Sequence, residues 1–162
     1  MTNNVYQLLD DMKVFMQDGP FTNTVSFGDL SDVDLDKTTI FPLVHMNIDN
    51  AIITDQTIEF DLNLLCMDIL DDNSLDNDEF DYFYGNTNLQ DILNNQLSVL
   101  QRLHASLKRG HLKDDLLTTE DEISAQPFKD RFVNVLAGWQ STIKLIVPNP
   151  TGRPNGGDII GC

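Results

Sequence analysis

The 162 residues carry 26 acidic against 10 basic side chains, a formal charge of −16 and a pI near 4.1, which excludes any broad grip on phosphate backbones or anionic lipid. The length favours one domain, able to bury about two thirds of the surface its unfolded chain exposes. The two cysteines, Cys66 and Cys162, make no framework of paired spacings and fit a reducing cytoplasm; no signal peptide and no membrane-spanning run is expected.

Residues 3–17 place Val5, Leu8, Leu9, Met12, Phe15 and Met16 at three- and four-residue spacing, the stripe of an amphipathic docking helix. Asp18-Gly19-Pro20 stops it, with Gly19 expected in a left-handed turn. Phe21, Val25 and Phe27 alternate with Thr22, Thr24 and Ser26 as a first strand, ended by Gly28. Asp32, Asp34 and Asp36 stand at the alternate spacing that begins a calcium loop. The sixth and twelfth positions of such a loop are here Lys37 and Leu43 instead of Gly and Glu, so an extended segment with Val33 and Leu35 turned inward is expected.

Residues 40–70 form the centre of the chain. Ile40–Ile48 is a first arm with Pro42 near its start, where the missing donor does least harm. His45 has no ligand partner at useful spacing and is expected as a half-buried strand residue. Asp49-Asn50 and Asp55-Gln56 supply turn chemistry on either side of Ala51-Ile52-Ile53. From Thr57 the alternation is close to strict: Ile58, Phe60, Leu62, Leu64 and Cys66 share one face, and Thr57, Glu59, Asp61 and Asn63 share the other. Beyond Leu64 the second face turns apolar through Leu65, Met67 and Ile69, so that end should be covered on both sides.

Residues 71–88 read as an acidic, aromatic loop. Asp71, Asp72, Asp76, Asp78, Glu79 and Asp81 repel one another with no base among them. As a calcium loop from Asp72 the segment has Asn77 for Gly and Phe83 for Glu, so no metal site is assigned. Phe80, Tyr82, Phe83 and Tyr84 are four aromatics in five residues, either folded on the core or offered to a partner.

Thr87 with Gln90 has capping-box spacing for a long helix to Arg109, ended by Gly110, with Leu89, Ile92, Leu93, Leu97, Leu100, Leu103 and Leu107 as its core stripe. Arg102, Lys108, Arg109 and Lys113 gather at its end with His104 and His111, partly complementing the helix dipole. Residues 1–101 hold 19 acids and only Lys13 and Lys37 as bases, so the positive end of one copy can meet the acidic loop of the next. From Gln126 to Val147 the alternation returns through Val133, Val135, Ala137, Trp139, Ile143, Leu145 and Val147. Gly138 and Gln140-Ser141 imply a bent strand or a hairpin, and Trp139 is a core anchor. Residues 150–162, rich in proline and glycine with Ile159-Ile160 near the end, form an extended arm that is floppy or laid on a neighbour.

The expected fold is therefore α+β over a single domain, residues 1–149. A mixed or antiparallel sheet with a long central hairpin is packed by the N-terminal helix and the long amphipathic one. Phe41-Pro42-Leu43-Val44-His45, the alternating strand Ile58 to Asp68 before an acidic loop, and Phe132 to Trp139 followed by Ile143 to Asn149 resemble the tail terminator or tail-completion proteins of tailed bacteriophages, including the neck ring proteins of crAss-like phages. The resemblance covers roughly residues 3–149 by pattern.

It implies a non-enzymatic virion subunit, assembled in the host cytoplasm with copies of itself, commonly six or twelve, into a ring between portal and tail. DNA passes through that ring without specific binding. Neighbours would be portal-side and tail-side virion proteins, and no catalytic residue, cofactor or metal is implied. The resemblance makes Phe80, Tyr82, Phe83, Tyr84, Ile159 and Ile160 subunit or partner contacts, together with Arg102, Lys108 and Arg109, and the acidic loop a channel feature. The alternative is an acidic decoy that imitates DNA to block a host factor, although its carboxylates would have to spread at phosphate-like spacing over a whole face instead of bunching in one loop and Asp32–Asp36. A metal-dependent hydrolase built on these acids lacks a convergent His or Glu and a pocket.

Overall fold

A computed structural model describes residues 5–71, 87–110, 112–113, 118–119, 121–131 and 134–149. Helix α1, Val5–Gln17, buries Leu8, Leu9, Met12 and Met16, the stripe that its three- and four-residue spacing lays on one face. Strand β1, Thr24–Phe27, follows and starts three residues later than the alternation from Phe21 predicts. Asn23 and Thr24 donate their backbone N–H groups to the Pro42 carbonyl, and β1 then runs parallel to the start of β2, Leu43–Ile53, opposite Leu43 to Met46.

Strands β2 and β3, Thr57–Ile69, form the long central hairpin. Asp49-Asn50 does not turn the chain; the ladder passes through it with a register shift between Ile48 and Asn50. One extra residue in a strand is absorbed as a bulge, which keeps the pairing on both sides of it. The reversal comes at Thr54–Thr57, where Thr54 Oγ1 donates to the Thr57 carbonyl and accepts from the Thr57 N–H.

Helix α2, Leu89–Arg109, is followed by the short β4, Thr118–Thr119, then β5, Ala125–Arg131, and β6, Val135–Pro148. Strand β6 is continuous through Gln140-Ser141, and the hairpin reversal lies between β5 and β6. Among the described residues, six strands make one mixed sheet in the order β1-β2-β3-β6-β4, with β5 also on β6. Every β3 residue from Thr57 to Ile69 faces β6. Gly138 marks a close approach: a Cβ there would lie 1.8 Å from the Cys66 carbonyl oxygen.

The two helices cover one face of this sheet, burying Val44, Met46, Phe60, Leu62, Leu64, Cys66, Ile143, Leu145 and Val147 against Leu8, Met12, Leu100, Leu103 and Leu107. At one end the opposite face is covered as well, by Leu30, Val33, Leu35, Ile40 and Phe41 packed on Leu43, Leu65, Met67, Ile69 and Leu136. The apolar turn of the second face after Leu64 has its cover there. Asn134 fixes that cover by donating to the Leu35 and Asp36 carbonyls.

Details of the helix ends differ from the sequence expectation. Among the described glycines, only Gly28 has a positive φ, 113°. A Cβ at Gly19 would come closest to the movable end of the exposed Arg102 side chain, whereas at Gly110 it would lie 2.8 Å from the Ser106 Cα. At the start of α2, Thr87 Oγ1 accepts from the Leu89 N–H at 3.4 Å, while Asn88 reaches away from the helix. Asn88 accepts from the Asp71 N–H at 2.7 Å and donates to the Ile69 carbonyl at 3.2 Å, tying the end of β3 to the start of α2. The buried stripe of α2 takes in Gln96, Val99 and Ser106, whereas Leu93 and Leu97 are only partly buried. Gln96 is held there by donating to the Phe21 carbonyl. Trp139, partly buried against the main core, donates its indole N–H to the Leu93 carbonyl at 2.7 Å.

Candidate functional site

Beyond the cover of residues 30–41, the second face of the sheet is open and polar. The register sets Asn47, Asn63 and Thr142 in one row across β2, β3 and β6, with Asp61 beside Lys144 in the next. Asn63 donates to Asp49 and its carbonyl accepts from Thr142, so the side-chain amide is used in both senses and the row is fixed. Asp49, Glu59 and Asp61 make this face acidic, with Lys144 as its base. Strand alternation produces it directly, because each polar residue of β3 has an apolar neighbour turned to the helices.

Where the open face meets the covered end, a cavity of about 440 Å³ is lined by Gly28, Asp29, Leu30, His45, Asn47, Asn63, Leu65 and Gln140. His45 is 3% exposed, more deeply buried than a lone strand histidine is expected to be. Its Nε2–H donates to the Gly28 carbonyl at 2.9 Å, which leaves Nδ1 to accept from the Ser26 hydroxyl at 2.8 Å. This tautomer is the neutral ring. Burial pushes the imidazole below its ordinary range, opposed by the Gly28 carbonyl and the nearby Asp29 carboxylate. Asp29 is itself held low, first by the Ser31 N–H that it accepts at 2.9 Å. The arrangement locks edge strand β1 onto β2.

Two of the basic residues near the end of α2 have partners within the chain. Arg102 stands over the Phe15 ring at 5.5 Å, and Lys108 pairs with Asp121, whose carboxyl it holds low. Arg109 is exposed beside them. Asp71 is exposed and donates its backbone N–H to Asn88. The remaining expected contact and loop residues, Asp72, Asp76, Asp78, Glu79, Phe80, Asp81, Tyr82, Phe83, Tyr84, Ile159 and Ile160, lie outside the described residues. Among the described residues, no three His, Cys, Asp or Glu side chains are grouped as a metal ion needs. Cys66 is buried, its thiol pushed up to about 12.

One surface feature escaped the sequence reading. Strand β1 pairs with β2 only as far as Met46, so the outer edge of β2 from Asn47 to Ile53 has no strand beside it among the described residues. Along this edge Ile52 is 49% and Ile53 71% exposed. Reading Asp49-Asn50 as a turn hid it, because that divides one long strand into two short pieces. The near-equal polar and apolar runs on either side of Thr54-Asp55-Gln56 were the available signal.

Compared with known proteins, the chain matches no family model and no curated protein at a significant level.

Proposed function

We propose that the protein is a virion structural subunit that assembles with its own copies into a ring at the head-tail junction of a tailed bacteriophage, a tail terminator or neck ring. Its product is a shape, with DNA passing through the bore and no substrate turned over. The observation that carries this reading is the acidic open face built by Asp49, Glu59 and Asp61 on a sheet whose other face is sealed by both helices. A polyanion slides past such a face without adhering, since the carboxylates offer it no counterion role. The strand strings that resemble the tail-completion proteins form β2, β3 and β6, the three strands that make the face.

In this reading the ring holds six or twelve copies, contacts portal-side and tail-side virion proteins, and is put together in the host cytoplasm. Mass measurement of the purified protein and copy counting in particles test it. Discrete oligomers, or a multiple of six copies per virion, are the expected results. A single copy in an intact infectious particle, or turnover of a substrate by the pure protein, overturns the proposal.

A further inference from the structure

Among the described residues, the outer edge of β2 is an open ladder from Asn47 to Ile53. Asn47 and Asp49 to Ile53 are exposed, with Ile48 half-buried, and the stretch contains neither Lys nor Pro, the residues that ordinarily blunt a sheet edge. Its bulge at Ile48 to Asn50 leaves Asn50 to Ile53 regular against β3. A strand laid here would satisfy the outward-facing backbone groups and cover Ile52 and Ile53.

The chain also holds a segment suited to that edge. Asn149 is fixed at the tip of the same hairpin, donating its N–H to the Gln56 carbonyl at 2.9 Å and its side-chain amide to the Thr54 carbonyl at 2.8 Å, so residues 150–162 depart from there. Ile159 and Ile160 are the apolar pair of that arm, and Arg153 with Asp158 leaves it neutral. Two copies that each carry −16 repel one another, and a neutral apolar arm is a contact that avoids this repulsion.

We infer that the arm of one copy adds a strand, centred on Ile159-Ile160, to the free β2 edge of the next copy. The inference rests on the ring reading and names the contact that closes the ring. Geometry favours a neighbour over the arm's own hairpin. Rounding its own tip from β6 to the outside of β2 crosses three strand spacings, about 14 Å, and uses about four residues. Ile159-Ile160 then falls about five residues below the tip, beside the bulge, and leaves Ile52 and Ile53 uncovered. The nine residues 150–158, extended by Pro150 and Pro154, reach up to about 30 Å, which suits an adjacent subunit.

The test uses the full chain and its natural Cys162, since the other thiol, Cys66, is buried. Asn50→Cys, Ala51→Cys and Ile52→Cys are made separately, mixed with isotope-labelled copies and oxidised. At least one is expected to give a disulfide to Cys162 joining a labelled to an unlabelled chain, lost with Cys162→Ser. In parallel, Ile52→Lys with Ile53→Lys is expected to convert wild-type oligomers to single copies without changing the circular dichroism spectrum or lowering the melting temperature. Links only within one chain, or none at all with oligomers surviving the lysines, overturn the inference and leave the ring reading standing. A wild-type protein that is a single copy in solution and in particles overturns both.

Discussion

The two ends of the β2–β3 hairpin are made of the same strands and have opposite surroundings. At the base, Leu43, Val44, Cys66 and Met67 are at most 1% exposed, with the helices on one face and residues 30–41 on the other. At the tip, one face still packs through Ile58, Phe60 and Val147, the other is polar, and Ile52 and Ile53 stand in water. Apolar area removed from water at the base stabilises the fold by roughly 25 cal/mol for each Å². The isoleucines at the tip contribute little of this, so their burial is left to whatever the protein meets.

This contrast fails if the base tolerates disruption. The largest effect is expected from Gly138→Ala, where the new methyl must displace the β3 backbone at Cys66. A loss above about 4 kcal/mol is the outcome, or an insoluble product, since the obstacle is main chain that no rotamer change can move aside. A denaturant midpoint close to wild type would show that β3 and β6 separate easily and that the base is no tighter than the tip.

Leu103→Ala and Ile53→Ala sharpen the comparison by removing similar side chains from the two environments. Leu103 is fully buried between α2 and the sheet, so truncation costs about 3 kcal/mol. Ile53→Ala changes the stability of the isolated chain by less than about 0.5 kcal/mol, as at other exposed positions. Equal losses in urea titrations of the two variants would mean that the tip is part of the folding core.

How far the sequence foretold this division depends on the range over which each signal acts. The alternation in Thr57–Ile69 marked the helix-facing side, the wet side and the change after Leu64, because period-two patterning is local and a buried face must be apolar. The helices were legible for the same reason. What escaped was decided by partners distant in the chain. Asp49-Asn50 looks like a turn until β3 is set beside it and holds the extra residue as a bulge. Gly138 looks like a break in regular structure, and its need for space comes from the Cys66 backbone, which nothing nearby announces. His45 looked half-buried because its two partners, Ser26 in β1 and Gly28 just beyond its end, lie nearly twenty residues earlier and are brought to it by parallel pairing. The candidate surfaces were legible only as charge, since an open sheet edge is a property of which strands are missing from beside it.

His45 gives the smallest and most specific comparison, because it sits where the covered base passes into the open face. Its folded ring is held below the ordinary histidine range by burial, so the unfolded chain takes up the proton first as the solution is acidified. The contribution of the neutral ring is therefore complete above about pH 6.5 and is lost as pH falls through the lower folded value. Protonation reverses the Ser26 contact, since Nδ1–H then donates to the hydroxyl oxygen, and it places a charge in a buried site. General acidification relieves repulsion among the 26 carboxylates and acts in the opposite direction, so the useful quantity is a difference between variants. Unfolding free energies of wild type and His45→Gln between pH 7.5 and 5 should diverge in slope, with the wild type losing more on acidification. Asp29→Asn, which removes a charge that favours the imidazolium, should steepen the wild-type loss further. Parallel slopes for wild type and His45→Gln would mean that the imidazole titrates alike in the folded and unfolded chain, and burial would then not be what holds the ring neutral.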